Sequence, residues 1–495
     1  MQIILHPKYS VSNSVRVWVG VRNAKEAPEL EWNILALSNN VSNPSKVPVP
    51  IKELQSVRSN ELLFKDSERV FSGIYEFRDC KPDSVYAVNV KISGTDNGYS
   101  LRYKTLPGEL PWDKWFNILL VSCYYYDNDK GNIDNIIGRI PADMKPDLSF
   151  FMGDQVYLDL PVFKDFPEDK QWLAEKFESD YAVNWFGIDT DVVSSYAATG
   201  FPRVLSLAPS VFIPDDHEFW NNYPHECFFI GNSKNEAGRN NWREASIALF
   251  EGFQSIDKDT MGGSVKINIP PVSFFLADLR TFRDPDKQHT FKDKEFKVFE
   301  DWIKGLNDNF GFLITGQSLF TDKVGKIKGE FSDFELPNYG DYPSITDLIK
   351  DAADGKIFTC ITGDVHWGRV AYLKKYDVRF NEISEIVVSP ASLVENPITD
   401  PFREAWGWVK SIFGHYDPWK KHSKPDEIGD SILPHFNSYS KKNFHSQVGN
   451  QVGILSLKRS GVGVDAKITY LPNHRDKEVN KAFYKQIDLH KLLKI

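Results

Sequence analysis

Nine side chains able to hold a metal ion or move a proton fall just beyond four short apolar runs of this sequence. Ser122-Cys123 follows FNILLV, and Gly153-Asp154-Gln155-Val156-Tyr157 follows LSFFM. Asp215-Asp216-His217-Glu218 follows SVFI, with Asn222 close behind, and Asp364 and His366 follow IFTCIT. This is the donor list of a metal centre rather than of a hydride-transfer enzyme or a Ser-His-Asp hydrolase. Each cluster has a plainer reading. A lone cysteine after a strand is usually packing, Gly-Asp is a common turn, and Asp215 or Asp216 could cap the next helix. Their conjunction at four strand ends favours the metal.

The chemistry expected is that of a two-metal hydrolase. Two cations about 3.5–4 Å apart need a bridging carboxylate, because their mutual repulsion would otherwise empty the site. Asp154, with a glycine before it, suits the bridge, and Tyr157 can turn back toward the same point. A thiolate from Cys123 and a phenolate from Tyr157 form only beside a high positive charge, which favours trivalent iron. Oxygens from Asp215 or Asp216 and from Asn222 suit a hard divalent ion such as Ca2+, Mn2+ or Mg2+. Asp364 and His366, two residues apart on an extended segment, point the same way and complete the shell. The choice between Asp215 and Asp216 stays open. His217 either protonates a leaving alkoxide or orients Asp154. Arg243, one helical turn beyond Arg239, has a planar fork that suits paired oxygens of a ligand. Its alternative is a surface salt bridge to Glu236 or Glu244.

These residues need a scaffold of buried strands. Phe116 to Ser122, Leu148 to Met152, Ser210 to Ile213, Val272 to Ala277, Phe310 to Ile314, Ile357 to Ile361 and Glu385 to Val388 are continuous apolar runs, as expected of strands covered on both faces. Helical spacing appears over Lys170–Tyr196, Asn240–Phe253, Lys292–Gly305 and Thr346–Ala353. The class is therefore α/β, with ligands gathering beyond the carboxyl ends of the strands. Residues 1–107 differ: VRVWVGV and YAVNVKI alternate with period two between turn-rich stretches, the pattern of a small all-β sandwich similar to fibronectin type III. A Pro-rich linker, Leu106 to Pro111, leads into a second domain over 112–495. Within it, 400–445 is rich in Trp, His, Lys and Pro without periodicity and reads as an insertion or lid.

Composition bounds the rest. With 59 basic and 68 acidic residues the net charge is −9, which argues against specific nucleic-acid binding. Four cysteines with no CxxC pair make no disulfide scaffold. No stretch approaches the ~20 apolar residues of a membrane span. The amino-terminal residues lack a signal-peptide pattern, so the expectation is cytoplasmic as the chain stands, or periplasmic or secreted if it is a trimmed piece.

The strand-G-D, strand-D-H-E and strand-G-x-x-H blocks resemble the calcineurin-like metallophosphoesterase superfamily. The variants here are similar to its PhoD-like (alkaline phosphatase D) branch: Ser122-Cys123, Gly153 to Tyr157 as G-D-x-x-Y, Asp215 to Asn222 as D-D-H-E with paired Asn, and Gly363 to His366 as G-D-x-H. Leu276 to Arg283 and Arg243 to Glu251 are similar to further blocks of that branch. The match spans roughly 115–395, and more weakly Gln451 to Ser456 and Ile468 to Leu471. It implies a layered sheet sandwich flanked by helices, preceded by an N-terminal β-sandwich. It also implies Fe3+ on Cys123, Asp154 and Tyr157, with Ca2+ on Asp154, Asp215 or Asp216, Asn222, Asp364 and His366. Phosphate would meet Asn222 and Arg243. The implied reaction is hydrolysis of a small or polymeric phosphate ester by a metal-bound hydroxide. Alternatives are a phosphodiesterase or phospholipase D-like hydrolase of nucleotide, teichoic-acid or lipid diesters, or a non-catalytic binding protein on this scaffold. The branch is typically exported by the twin-arginine route, a signal not present in this sequence, and 400–445 has no counterpart in it.

Overall fold

The computed structural model describes residues 1–38, 44–45, 47–64, 68–129, 131–161, 166–188, 192–228, 230–255, 263–321, 323, 334–364, 366, 368–376, 381–392, 436, 438–447, 449–461, 463–473 and 485–488. Most of the expected insertion at 400–445 lies outside these residues.

The amino-terminal hundred residues form β1 (Gln2–Lys8), β2 (Val15–Ala24), β3 (Leu30–Ala36), β4 (Val49–Ser56), β5 (Arg69–Phe77), β6 (Val85–Ile92) and β7 (Gly98–Lys104). Then come β8 (Phe116–Val121), β9 (Leu148–Met152), β10 (Ser210–Ile213), β11 (Val265–Ile269), β12 (Val272–Leu276), β13 (Phe310–Thr315), β14 (Ile357–Thr362), β15 (Gly368–Lys375) and β16 (Glu382–Val387). The chain finishes with β17 (Tyr439–Gln447), β18 (Gln451–Ser460), β19 (Gly463–Pro472) and β20 (Lys485–Asp488). The longer helices are α1 (Lys170–Phe186), α2 (Glu236–Phe253), α3 (Asp293–Lys304) and α4 (Tyr342–Ala352). The helix expected over 170–196 stops at Phe186, because Gly187 takes a left-handed φ of 72° there.

Two sheets pack face to face. One runs β20-β19-β18-β8-β9-β10-β1-β2-β5-β4, the other β11-β12-β13-β14-β16-β15-β17. The apolar runs are continuous because each strand serves two cores. Phe116, Ile118 and Leu120 of β8, Phe150 and Met152 of β9, and Val211 and Ile213 of β10 meet Phe274, Leu276, Phe312 and Ile314 between the sheets. The intervening Leu119, Val121, Phe151 and Phe212 face the cluster built on α1 and α2. Phe275 and Leu313 face α3 and α4 on the far side. The order of layers is helix, sheet, sheet, helix. Strands β8, β9 and β10 are parallel, as are β12, β13, β14 and β16, so the polar strand ends of each sheet emerge together.

The amino-terminal strands make a sandwich of β1-β2-β5-β4 against β3-β6-β7, closed by Trp32 on Tyr75 and Phe77. Its larger sheet continues the central one: Lys8 of β1 pairs in parallel with Ser210 of β10. The outer face of β2 meets the helices through Trp18, which packs on Phe186 and Phe253 and donates to the Gly252 carbonyl at 2.7 Å.

Candidate metal centre

The loops after β8, β9, β10 and β14 converge. Ligand atoms of Cys123, Asp154, Asp364 and His366 lie within 4.8 Å of one another, as do those of Asp154, Asp216 and His217, and those of Asp215, Asp216 and Asp364. Tyr157 stands beside them, its ring 4.3 Å from that of His217. Sequence-distant strand ends reach one point because glycine permits close approach. A Cβ on Gly363 would lie 2.5 Å from the Met152 carbonyl oxygen, and one on Gly153 would collide with Asp215. The backbone is strained at the same place. Cys123, Asp154, Asn222, Asp364 and His366 all have φ between 49° and 70°, five of the ten non-glycine residues with positive φ among those described. Such conformations cost about 1–3 kcal/mol each and persist where the surroundings over-determine them.

Electrostatics point the same way. Burial, followed by the charges of Asp154 and Asp364, pushes the Cys123 thiol well above its usual range. Burial and the neighbouring Asp216, Asp215 and Glu218 raise Asp154, against the pull of His217. Tyr157 is raised likewise, by burial and then by Cys123, Asp154 and Asp364. These acids would be anionic together only with positive charge among them. The Tyr157 hydroxyl is buried and meets no hydrogen-bond partner among the described residues. A buried orphan oxygen amid carboxylates, a thiol and an imidazole fits a cation.

Neighbouring residues fix this constellation. Glu218 accepts the backbone N–H groups of Asp154 (2.8 Å) and Asp215 (2.9 Å) on one oxygen and that of Gln155 (2.7 Å) on the other. His217 Nδ1 contacts Asp159 Oδ1 at 2.8 Å, and Asp159 Oδ2 accepts the Asn221 N–H at 2.8 Å. Burial alone would lower the His217 pKa, but the carboxylates of Asp159, Asp216 and Asp154 outweigh it and raise it well above the usual value. The Ser389 hydroxyl donates to the Cys123 sulfur at 3.2 Å.

The two adjacent aspartates differ in their surroundings. Asp215 Oδ1 accepts from Arg280 Nε at 2.5 Å, both side chains being buried, whereas Asp216 Oδ2 accepts the Asn222 N–H at 2.7 Å. The Asn222 side-chain oxygen accepts the Phe334 N–H at 3.1 Å. Arg243 makes no salt bridge to Glu236 or Glu244 among the described residues; Glu244 pairs with Lys170, and Arg243 Nε donates to the Tyr223 hydroxyl at 2.9 Å. Sequence reasoning gave no role to Glu218, Asp159 or Ser389 and placed Arg280 only within the Leu276 to Arg283 block. Glu218 stood in the D-D-H-E run, and Ser389 follows a fifth apolar strand, so both carried a signal. Asp159 carried none.

The structure is similar to that of purple acid phosphatase PPD1 from yellow lupin (Lupinus luteus) seeds, with a TM-score of 0.58 over 98% of this chain and 74% of that one at 10% identity. The likeness is one of fold, a layered pair of sheets flanked by helices. No family model and no curated protein matches the sequence. Within this fold, the converging loops lie at the carboxyl ends of the parallel strands, where open α/β sheets bind ligands. Among the described residues no helix is long and apolar enough to cross a membrane.

Proposed function

We propose that this protein hydrolyses phosphate esters at a binuclear or trinuclear metal centre of the PhoD-like kind. The observation that carries the reading is the convergence of Cys123, Asp154, Asp364 and His366 within 4.8 Å. Cys123, Asp154 and Tyr157 would hold Fe3+; Asp154, Asp216, Asn222, Asp364 and His366 would hold Ca2+ or another hard divalent ion. Arg280 lies nearer to Asp215 (2.5 Å) than to Asp216 (4.0 Å), which favours Asp216 as the ligand in this reading. When bound, the cations supply activation of water and neutralise charge developing on the phosphoryl oxygens.

The chain's own residues do the rest. Asp159 holds Nδ1 of His217, which leaves Nε2 to donate a proton to the leaving oxygen. Glu218 holds the backbone of Asp154 and Asp215 so that neither loop relaxes as charge changes. Arg243, fixed through Tyr223 next to Asn222, would meet phosphate oxygens. A diester substrate is the second reading.

The test is metal analysis of purified protein together with turnover of p-nitrophenyl phosphate and bis-p-nitrophenyl phosphate. Metal-dependent release from either supports the proposal, and the ratio assigns monoester or diester preference. Protein that binds no metal and cleaves neither ester leaves a non-catalytic scaffold.

A further inference from the structure

The amino-terminal strands close the far end of helix α2. The last four carbonyls of a helix have no partner inside it. At the end of α2 those of Glu251, Gly252, Phe253 and the capping Gln254 each take a side-chain donor from the sandwich. Lys52 Nζ of β4 donates to the Glu251 carbonyl at 2.8 Å, and Trp18 Nε1 of β2 donates to that of Gly252 at 2.7 Å. Lys8 Nζ of β1 serves the other two, Phe253 at 3.1 Å and Gln254 at 2.9 Å. Lys8 is fully buried, and its Nζ stands over the Phe212 ring. Burial, followed by the charge of Lys52, pulls its pKa well below the usual range. Charged or neutral, the amine has N–H groups enough for two carbonyls.

Gln254, which Lys8 holds by its carbonyl, turns its side chain toward the loops of the metal centre. Its Nε2 donates to the Tyr181 hydroxyl at 3.2 Å and to Glu218 Oε1 at 3.4 Å. Glu218 in turn accepts the N–H groups of Asp154, Gln155 and Asp215. Hydrogen bonds thus run from Lys8 through Gln254 and Glu218 to Asp154, and none of the four residues is more than 1% exposed. We propose that the amino-terminal sandwich is a working part of the metal centre: Lys8 and Gln254 are positioning residues that set Glu218 and, through it, the loops carrying Asp154 and Asp215. The inference rests on the metal-centre reading and gives that centre a support from outside the residues that converge on it. Groups behind metal ligands hold the ligands in orientation, and losing one typically costs about 10–100-fold in metal affinity.

The test titrates the full chain with Mn2+ by calorimetry, alongside kcat and KM for p-nitrophenyl phosphate. Gln254→Met removes the amide donor and keeps a flexible side chain of similar length. It should weaken Mn2+ binding about tenfold and lower kcat more than it changes KM. Lys8→Met should weaken Mn2+ comparably, and the double variant should lose no more than the larger single loss, because both act through Glu218. Lys52→Met uncaps Glu251 at the same helix end and serves as the stability comparator. It should lower the melting temperature and leave Mn2+ affinity at the wild-type value. Equal losses of affinity in Lys52→Met and Gln254→Met would reduce the effect to general loosening and overturn the relay. Wild-type affinity in either Gln254→Met or Lys8→Met would overturn it too. A wild-type chain that takes up no Mn2+ overturns the metal centre itself, and the relay with it.

Discussion

Glu218 and Asp154 are joined by a hydrogen bond that crosses from one strand end to the next: the Asp154 N–H donates to Glu218 Oε2 at 2.8 Å. That oxygen serves Asp215 as well, and burial pushes the Glu218 carboxyl up to about 7. Glu218→Gln exchanges one acceptor oxygen for an NH2 group and leaves a loop N–H unpaired. A loss of about 1–3 kcal/mol in chemical denaturation is expected. Metal content per chain should fall with it, because the Asp154 loop loses its tether. Full metal loading and unchanged stability would show the contact to be incidental.

Arg280 and Asp215 form a buried pair, 1% and 2% exposed. Arg280→Met removes the cation and keeps the carboxylate in the core, which should cost about 3–5 kcal/mol. Adding Asp215→Asn should restore most of that loss. If the double variant is no more stable than the single one, the arginine acts through its bond to the Tyr223 carbonyl instead.

Tyr157→Phe separates a ligand from a spare hydroxyl. Because the oxygen has no hydrogen-bond partner among the described residues, its removal should leave metal-free stability unchanged or slightly higher. In the iron-loaded protein the same change should abolish the visible absorption of a phenolate on ferric iron and lower turnover. Cys123→Ser should likewise lower bound iron. Retained colour in Tyr157→Phe would remove the phenolate from the site.

His6 contributes to the pH dependence of stability in acid. It is buried beside Trp18, with Nε2 bonded to the Trp185 carbonyl at 2.8 Å. Burial, opposed by that carbonyl and aided by Lys8, lowers its pKa from 6.5 to about 3. The folded state therefore favours the neutral ring, and the unfolded chain takes up a proton first. Its contribution is complete above pH 6.5 and declines as pH falls from 6.5 toward 3, by about 1.4 kcal/mol per unit. Unfolding followed against pH should show a shallower decline in His6→Gln. Parallel curves for the two proteins would assign the acid sensitivity elsewhere.

The strands of the core were legible because continuous apolar runs admit few alternatives: FNILLV, LSFFM and SVFI became β8, β9 and β10 with both faces buried. The residues that converge were legible as candidates by their place at strand ends. The sequence could not show that Asp215 and Asp216 differ in their surroundings, since that difference lies in Arg280, 65 residues from Asp215 and nearer to it than to Asp216. Nor did it show Asp159 behind His217, a contact created by how two loops fold over each other. The alternating strands of residues 1–107 pointed to a sandwich, but not to the pairing of Lys8 with Ser210 that adds them to the central sheet. Edge pairing of this kind depends on backbone groups, which every residue carries alike.

Strand β8, which delivers Cys123, lies between β9 and β18, and Leu120 pairs with Gly453. During synthesis the nascent polypeptide therefore presents β8 with one flank bare until the segment 451–460 has left the ribosome. An unpaired apolar edge of this length invites pairing with other chains. Ribosome-stalled or prematurely terminated products ending before residue 451 should thus depend on chaperones, and filling of the proposed metal centre is expected to be a late, post-translational event.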